Sequence, residues 1–406
     1  MASINTAFKA LCLSLLFVTV SSSPDTEPKV FDVQSYGAKG DGTADNANAF
    51  TNAWKDACAW KGRSKVYVPK GAFCLGGVTF AGPCNCQTYF VIDGVVLAPT
   101  NNDDIKKETW VNFAYINYLT ISGSGTIDGQ GKESWPLNNC NKNDNCPRLA
   151  VSMGFDFVNN SRIEGITSLN SKAGHFNFYF VDNFTIAGVN ITAPGDSPNT
   201  DGIKVGFSSN INISNTHIGT GDDCIAILSG NTNLFIYNVT CGPGHGISVG
   251  SLGKNKTWES SATEIAISNF LYENIQMIDA QSPINIDQQY CPYPPCKKKG
   301  DSHVQIQNVT LNNIWGSSMN KEAVREGVLA ASLDKCLSPP DLFVEFIIPR
   351  WLLFEGLKQY NEVEAWVHSD EDVVVRRVCP GCWLLVLGSV LVCVFDAIRR
   401  GSGFSS

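Results

Sequence analysis

A chain of 406 residues, 43% hydrophobic and 17% charged with 36 glycines, has the composition of a globular protein with room for a large core. Its formal net charge of −8 argues against nucleic acid as a partner. Recognition of an anionic polymer would have to rest on a local basic cleft rather than on overall charge.

Residues 1–23 read as a secretory signal. Lys9 precedes the apolar run 10–20, and Ser21, Ser22 and Ser23 follow. The run is too short to span a bilayer, so no membrane partner is expected. Asn-x-Ser/Thr acceptors at Asn159, Asn183, Asn190, Asn212, Asn238, Asn255 and Asn308 agree with secretion. So do the 15 cysteines, of which Cys12 lies in the signal. Cys140/Cys146 and Cys291/Cys296 are each close enough to close a small loop. Cys58, Cys74, Cys84 and Cys86 form a group whose pairing the sequence leaves open. The spacing Cys84-x-Cys86 with no histidine close by is poor for zinc, and no metal is expected.

Alternating residues at 30–33 form a strand that runs into the glycine-rich turn 36–42. That turn lacks the Gly-Lys-Ser/Thr ending of a phosphate loop. Ala47, Phe50, Trp54 and Ala57 have helical spacing within 44–60. Strand-like segments follow at 65–68, 89–97, 117–121, 176–181 and 184–191, with a turn–strand–turn at 123–131. The stretch 135–147, rich in Asn, Lys and Cys, is expected to overhang a cleft. His175 either lines that cleft or packs among its aromatic neighbours Phe176, Phe178 and Tyr179.

Three passages of one design come next. They are Asp201-Gly202-Ile203-Lys204-Val205, Asp223-Cys224-Ile225-Ala226-Ile227 and His245-Gly246-Ile247-Ser248-Val249, each 22 residues after the last. Each has a polar residue and then apolar residues two apart, the period of a strand. A repeat of this length implies a solenoid of stacked coils, with the helix of 44–60 capping its open N-terminal end. Stacking about 4.8 Å apart sets Asp201, Asp223 and His245 one above another, with Asp222 beside them. Asp at coil turns needs no chemistry to explain it. The adjacent pair Asp222-Asp223 does, because neighbouring like charges are destabilising unless a proton is shared. The constellation is that of acid–base catalysis.

The passages Ser197-Pro198-Asn199-Thr200-Asp201-Gly202, Gly219-Thr220-Gly221-Asp222-Asp223-Cys224 and Gly244-His245-Gly246-Ile247-Ser248 resemble three signature motifs of the polygalacturonases. These are pectin-cleaving glycoside hydrolases, and the likeness is nearest to the exo-acting pollen type of plants. It runs from about residue 30 to about residue 324. The resemblance implies an all-β, right-handed parallel β-helix, secreted to the cell wall, acting as a monomer on polygalacturonate without a cofactor. It implies inverting hydrolysis, with Asp222 as the acid and Asp201 and Asp223 activating water. Like-charge repulsion would raise the pKa of Asp222, and His245 would tune its proton. Asn199, Lys256 and Tyr290 would bind substrate, and Cys224 and Cys241 would form a disulfide. The stretch 135–147 would block one end of the cleft, so that only chain ends enter.

Two departures qualify the resemblance. The family carries an Arg-x-Lys pair one coil after the histidine motif to grip sugar carboxylates, and no such Arg follows here. After Gly253 the chain reads Lys254-Asn255-Lys256-Thr257-Trp258-Glu259, so about one coil is missing after 256. Lys254 or Lys256 would substitute only in part, because lysine lacks the bidentate fork of arginine. Strands on either side of the gap would have to pair anew, with a shifted register. Beyond about residue 325 the Asn-rich coil pattern stops. The domain reading is therefore a signal at 1–23, a β-helix at 24–324 and a non-matching tail at 325–406. Two rival functions follow, a catalytically weak pectin-binding homologue and a calcium-dependent pectate lyase. His245 and the missing Arg count against the lyase.

Overall fold

The computed structural model describes residues 27–138, 146–250, 266–286 and 305–320, and the strand backbones of 324–326, 344–348, 373–379, 382–387 and 390–395. Nine strands follow one another in a front sheet, each parallel to the next: Val78–Ala81, Thr109–Ala114, Val151–Asp156, Phe176–Tyr179, Ile203–Gly206, Asp223–Ile227, Gly246–Val249, Ile284–Ile286 and Val324–Glu326. The remaining strands form a larger sheet that runs parallel through the coils. The result is a right-handed parallel β-helix.

Alternation along each strand explains the coil. Ile203, Ile225, Ile247 and Ile284 stack inside, all nearly or fully buried, as do Phe113, Phe155 and Phe178 with almost parallel rings. The intervening residues Asn112, Gly154, Asn177, Lys204, Ala226, Ser248 and Asn285 fall in one column on the outer face. A strand that buries one side and shows the other to solvent needs this two-residue period.

The bends are built by asparagines in the left-handed region, where a short polar side chain tolerates positive φ. Asn183, Asn210, Asn233, Asn269 and Asn308 have φ between 53° and 61°. Their side chains join coil to coil: Asn233 Nδ2 donates to Asn210 Oδ1 at 2.8 Å, Asn269 to Asn233 at 2.9 Å and Asn308 to Asn269 at 2.9 Å. Asn183 and Asn238, like Asn308, are glycan acceptors by sequence and ladder members by structure.

The helix expected within 44–60 is Ala47–Ala59. It buries Phe50, Ala53, Trp54 and Ala57, and Trp54 packs on Phe80, Phe90 and Phe113. Its Nε1 donates to the Ala81 carbonyl at 3.0 Å, so the helix covers the first coils as the sequence implied. Cys58 is bonded to Cys84, while Cys74 and Cys86 have no disulfide partner among the described residues. Cys146 is also disulfide-bonded. Cys140, Cys291 and Cys296 lie outside the described residues.

Across the expected break the solenoid is continuous. Thr232 pairs with Ser268 and Leu234 with Phe270, and in the front sheet Ile247 pairs with Ile284 and Ser248 with Asn285. The strands do pair anew, but the interior column passes through without the register shift that the sequence led us to expect. In-register pairing keeps apolar side chains inside, and a slip of one residue would turn each strand's apolar set outward. Parallel stacking continues to Val324–Glu326, and Ile314 pairs with Phe346. The last strands, 373–379, 382–387 and 390–395, are antiparallel hairpins unlike the coils before them. No helix among the described residues is long and apolar enough to cross a membrane.

Candidate active site

The expected acids converge at the N-terminal ends of three consecutive front-sheet strands. Ile203 lies opposite Ile225 and Ile225 opposite Ile247, but Asp223 lies opposite Gly246, because a bulge falls between Asp223 and Ile225. His245 therefore sits over Asp222, not over Asp223, and its backbone N–H donates to the Asp222 carbonyl at 2.8 Å. Equal sequence offsets had suggested the other alignment. A bulge adds a residue to one strand and re-aims the side chains beside it. The disulfide Cys224–Cys241 starts from that extra residue and ties it to the neighbouring sheet.

Close approach of the turns depends on glycine at two points. A Cβ on Gly221 would lie 1.9 Å from the Ser197 carbonyl oxygen. This brings the Asp222 turn down onto Asn199 and Thr200, where Gly221 N–H donates to Thr200 Oγ1 at 3.0 Å. A Cβ on Gly246 would lie 2.1 Å from the Ser282 oxygen, at φ 104°. Both positions exclude any larger residue.

Asp222 collects three donors. His245 Nδ1 is 3.0 Å from its Oδ1, the Asp223 N–H donates to Oδ1 at 2.8 Å, and Asn199 Nδ2 donates to Oδ2 at 3.2 Å. Asn199 is itself held from outside, by Asn138 Nδ2 donating to its Oδ1 at 3.0 Å. Asp223 Oδ1 accepts from Ser248 Oγ at 2.6 Å. Asp201 is buried and its Oδ2 lies 3.0 Å from Lys204 Nζ.

Protons follow from these contacts. Burial, then the charges of Asp201 and Asp222, push the Asp223 carboxyl up to about 7 against the Ser248 hydrogen bond. Burial also pushes Asp222 up, but the His245 ring and the backbone N–H outweigh it and hold the carboxyl below its ordinary value. This reverses the expectation that Asp222 is the raised member. The reason is His245, whose own pKa the Asp222 hydrogen bond raises against burial. Asp222 and His245 thus each favour their charged form, while Asp223 is pushed toward its neutral form. Asp222, Asp223 and His245 also offer ligand atoms within 4.8 Å of one another, which is cation-binding geometry. The Lys204 ammonium, 3.0 Å from Asp201 Oδ2, also feels the charges of Asp222 and Asp223.

His175 is not in the cleft. It is fully buried, its Nδ1 is 2.8 Å from Ser168 Oγ, and burial pushes its pKa down to about 3, so it is a neutral packing residue. Lys256 and Tyr290 lie outside the described residues. Lys204, Ser248 and Asn138 were not singled out as site residues by sequence. The signal for the first two was present: with Ile203, Val205, Ile247 and Val249 inside, Lys204 and Ser248 must face out. Asn138 belongs to the expected overhang and had no such marker.

The sequence family described as glycosyl hydrolases family 28 matches residues 58–259 and 254–337. An exopolygalacturonase of Platanus acerifolia is 43% identical over 321 residues, covering 73% of this chain and 84% of its own. A Zea mays exopolygalacturonase is 40% identical over 360 residues, covering 80% and 88%. A Gossypium barbadense polygalacturonase is 39% identical over 339 residues, covering 77% and 82%. Among solved structures, the family 28 exopolygalacturonase of Yersinia enterocolitica superposes with a TM-score of 0.58 at 19% identity, over 74% of this chain and 68% of that one. The polygalacturonase of Erwinia carotovora gives 0.54 at 20% identity, over 76% and 84%. At those identities the two structures speak to the fold alone.

Proposed function

The chain belongs to glycosyl hydrolases family 28, and from that membership we propose that it hydrolyses the α-1,4-galacturonosyl linkages of polygalacturonate, from chain ends and with inversion. The observation that carries this is the Asp222–His245 contact of 3.0 Å beside Asp223, whose carboxyl burial pushes up. Hydrolysis needs a proton on the leaving oxygen and a base for water across the ring. Asp222 is the group through which the proton shared with His245 reaches the leaving oxygen. Asp201 and Asp223 position the attacking water, whose proton passes to this pair as its oxygen bonds to the anomeric carbon. Asn199 binds the sugar beside them, as do Lys256 and Tyr290 by their likeness to the family. Asn138, reaching over Asn199, supports a cleft closed at one end and hence exo action.

The rate is low. The family match divides into two segments that overlap at 254–259, where the sequence places the missing coil and its Arg-x-Lys pair. Loss of a desolvated charged contact worth roughly 1.5–3 kcal/mol weakens transition-state binding by roughly 10- to 100-fold. The in-register stacking across this junction supports an acid cluster that still assembles. The signal at 1–23 directs the chain to the cell wall, where the β-helix read from the sequence at 24–324 works as a monomer.

Release of reducing ends from de-esterified polygalacturonate, with and without a chelator, tests this. Slow, chelator-insensitive release of saturated monogalacturonate is expected. Unsaturated, chelator-sensitive products would make the enzyme a lyase. Retention on pectin with no release would make it the binding homologue that the missing pair also favours.

A further inference from the structure

Two lysines are drawn into the coils and are used differently. Lys172 is 1% exposed, and its Nζ donates to the Thr100 carbonyl at 2.8 Å and the Gln130 carbonyl at 3.2 Å. Its hydrogen bonds go to holding turns together. Lys204 stands in the outward column of the front sheet, between Asn177 and Ala226. Its Nζ has one partner among the described residues, Asp201 Oδ2 at 3.0 Å, and 32% of its side chain is open to solvent. An ammonium carries three N–H groups, so two remain for a ligand.

The ground beside Lys204 is shaped to receive one. The next residue of the column is Ala226, a single methyl, and after it comes Ser248, whose hydroxyl is committed to Asp223. Two strand spacings separate Lys204 from Ser248, roughly 10 Å with only that methyl between them. The groups that flank this notch contact the acids, Lys204 through Asp201 and Ser248 through Asp223. On the other side of Lys204, Asn177 Oδ1 is buried and has no hydrogen-bond partner among the described residues.

A sugar that reaches the acid cluster must bring its glycosidic oxygen against three carboxyl groups. A uronic acid adds a further negative charge. The cationic groups acting on Asp222 and Asp223 among the described residues are His245 and Lys204, and His245 is engaged with Asp222. A neutral sugar has no use for a half-free ammonium at this point, whereas a uronate does. We propose that Lys204 receives the carboxylate of the uronic acid bound at the point of cleavage, and so sets the preference for acidic over esterified sugar. Asp201 holds the lysine stem toward the notch, and the bound carboxylate becomes its second partner. The assignment rests on the galacturonan-cleaving function proposed above.

Calorimetric binding of trigalacturonate and of its methyl ester tests this, on protein carrying Asp222→Asn to prevent turnover. Three forms are compared, with Lys204 retained, with Lys204→Met and with Lys204→Arg. Lys204→Met is expected to weaken binding of the acid by roughly 10-fold or more while changing the ester by less than about twofold, and Lys204→Arg to restore most of the loss. Equal losses for acid and ester, or no loss, overturn the proposal and leave Lys204 as a partner of Asp201 only. If the protein with Lys204 retained binds neither ligand, the galacturonan function fails and takes this proposal with it. Should Lys204→Met not fold, the protein with Lys204 retained decides: tighter, salt-sensitive binding of the acid supports the proposal, and equal binding of acid and ester overturns it.

Discussion

The two edges of the front sheet repeat side chains at the same spacing and with opposite consequences. At the C-terminal ends of the strands, Tyr115, Phe157, Phe180 and Phe207 stack ring on ring, with centroids 5.0–5.3 Å apart. At the N-terminal ends, the same translation gathers Asp201, Asp222 and Asp223. Neutral rings gain dispersion from each added copy, whereas each added carboxylate raises the free energy of the last. One edge therefore repeats freely. The other is held by compensating groups, namely His245, Lys204, Ser248 and Asn199. The proposed chemistry falls on the edge where repetition is unfavourable, where the Asp223 carboxyl is pushed up to about 7.

Breaking the acidic edge has the largest expected effect on rate. Asp222→Asn should lower polygalacturonate hydrolysis by roughly 10²–10⁴-fold with an unchanged circular dichroism spectrum, as befits a lost general acid. Near-normal turnover would remove Asp222 from the mechanism.

Titration sharpens the comparison further. Asp223 rises from 3.8 to about 7 on folding, and His245 also rises. Groups raised on folding contribute stability that is present at low pH and lost as pH climbs through the folded value. Stability should thus decline between about pH 4 and pH 8 on account of this cluster. Asp223→Asn should flatten that decline, so that the variant gains melting temperature relative to the parent more at pH 8 than at pH 4. A constant difference across that range would mean that Asp223 titrates normally.

The aromatic edge gives the smallest effect. Phe157→Ala removes a ring stacked on both sides, and about 1 kcal/mol of stability should go with it by denaturant titration. Hydrolysis should be unaffected. A substantial fall in rate would show that the two edges are coupled through the sheet.

Much of this architecture was legible in the residues. Strand periodicity at 22-residue intervals gave the solenoid, and the helical spacing of Phe50 and Trp54 gave its cap. The acid cluster was legible because Asp222-Asp223 is costly without a purpose. What escaped was the bulge at Cys224. A 22-residue offset from Asp223 to His245 matches the regular repeat, yet the hydrogen-bond ladder there advances by one extra residue. No composition or spacing marks a bulge, so the partner of His245, and with it which aspartate is pushed toward its neutral form, needed coordinates. Lys204 was legible in principle from strand alternation, but a lysine on an outward face is ordinarily just solvated. Only its distance to Asp201 sets it apart.

The pairing between coils also carries a rule about tolerance. Ser209 meets Thr232 after 23 residues, Thr232 meets Ser268 after 36, and Ser268 meets Gln307 after 39. The ladder is indifferent to how much chain lies between partners, provided that the next strand arrives with the same inward and outward order. Such a stack counts coils, not residues. Lengthening or shortening a turn leaves the arithmetic untouched, and inserting or excising a whole coil moves everything beyond it by one step along the axis without retwisting any strand. Groups assembled from consecutive coils, as Asp201, Asp222, Asp223 and His245 are, travel together through such an edit. A ligand that must be gripped from both sides of the edited coil meets a cleft one step shorter.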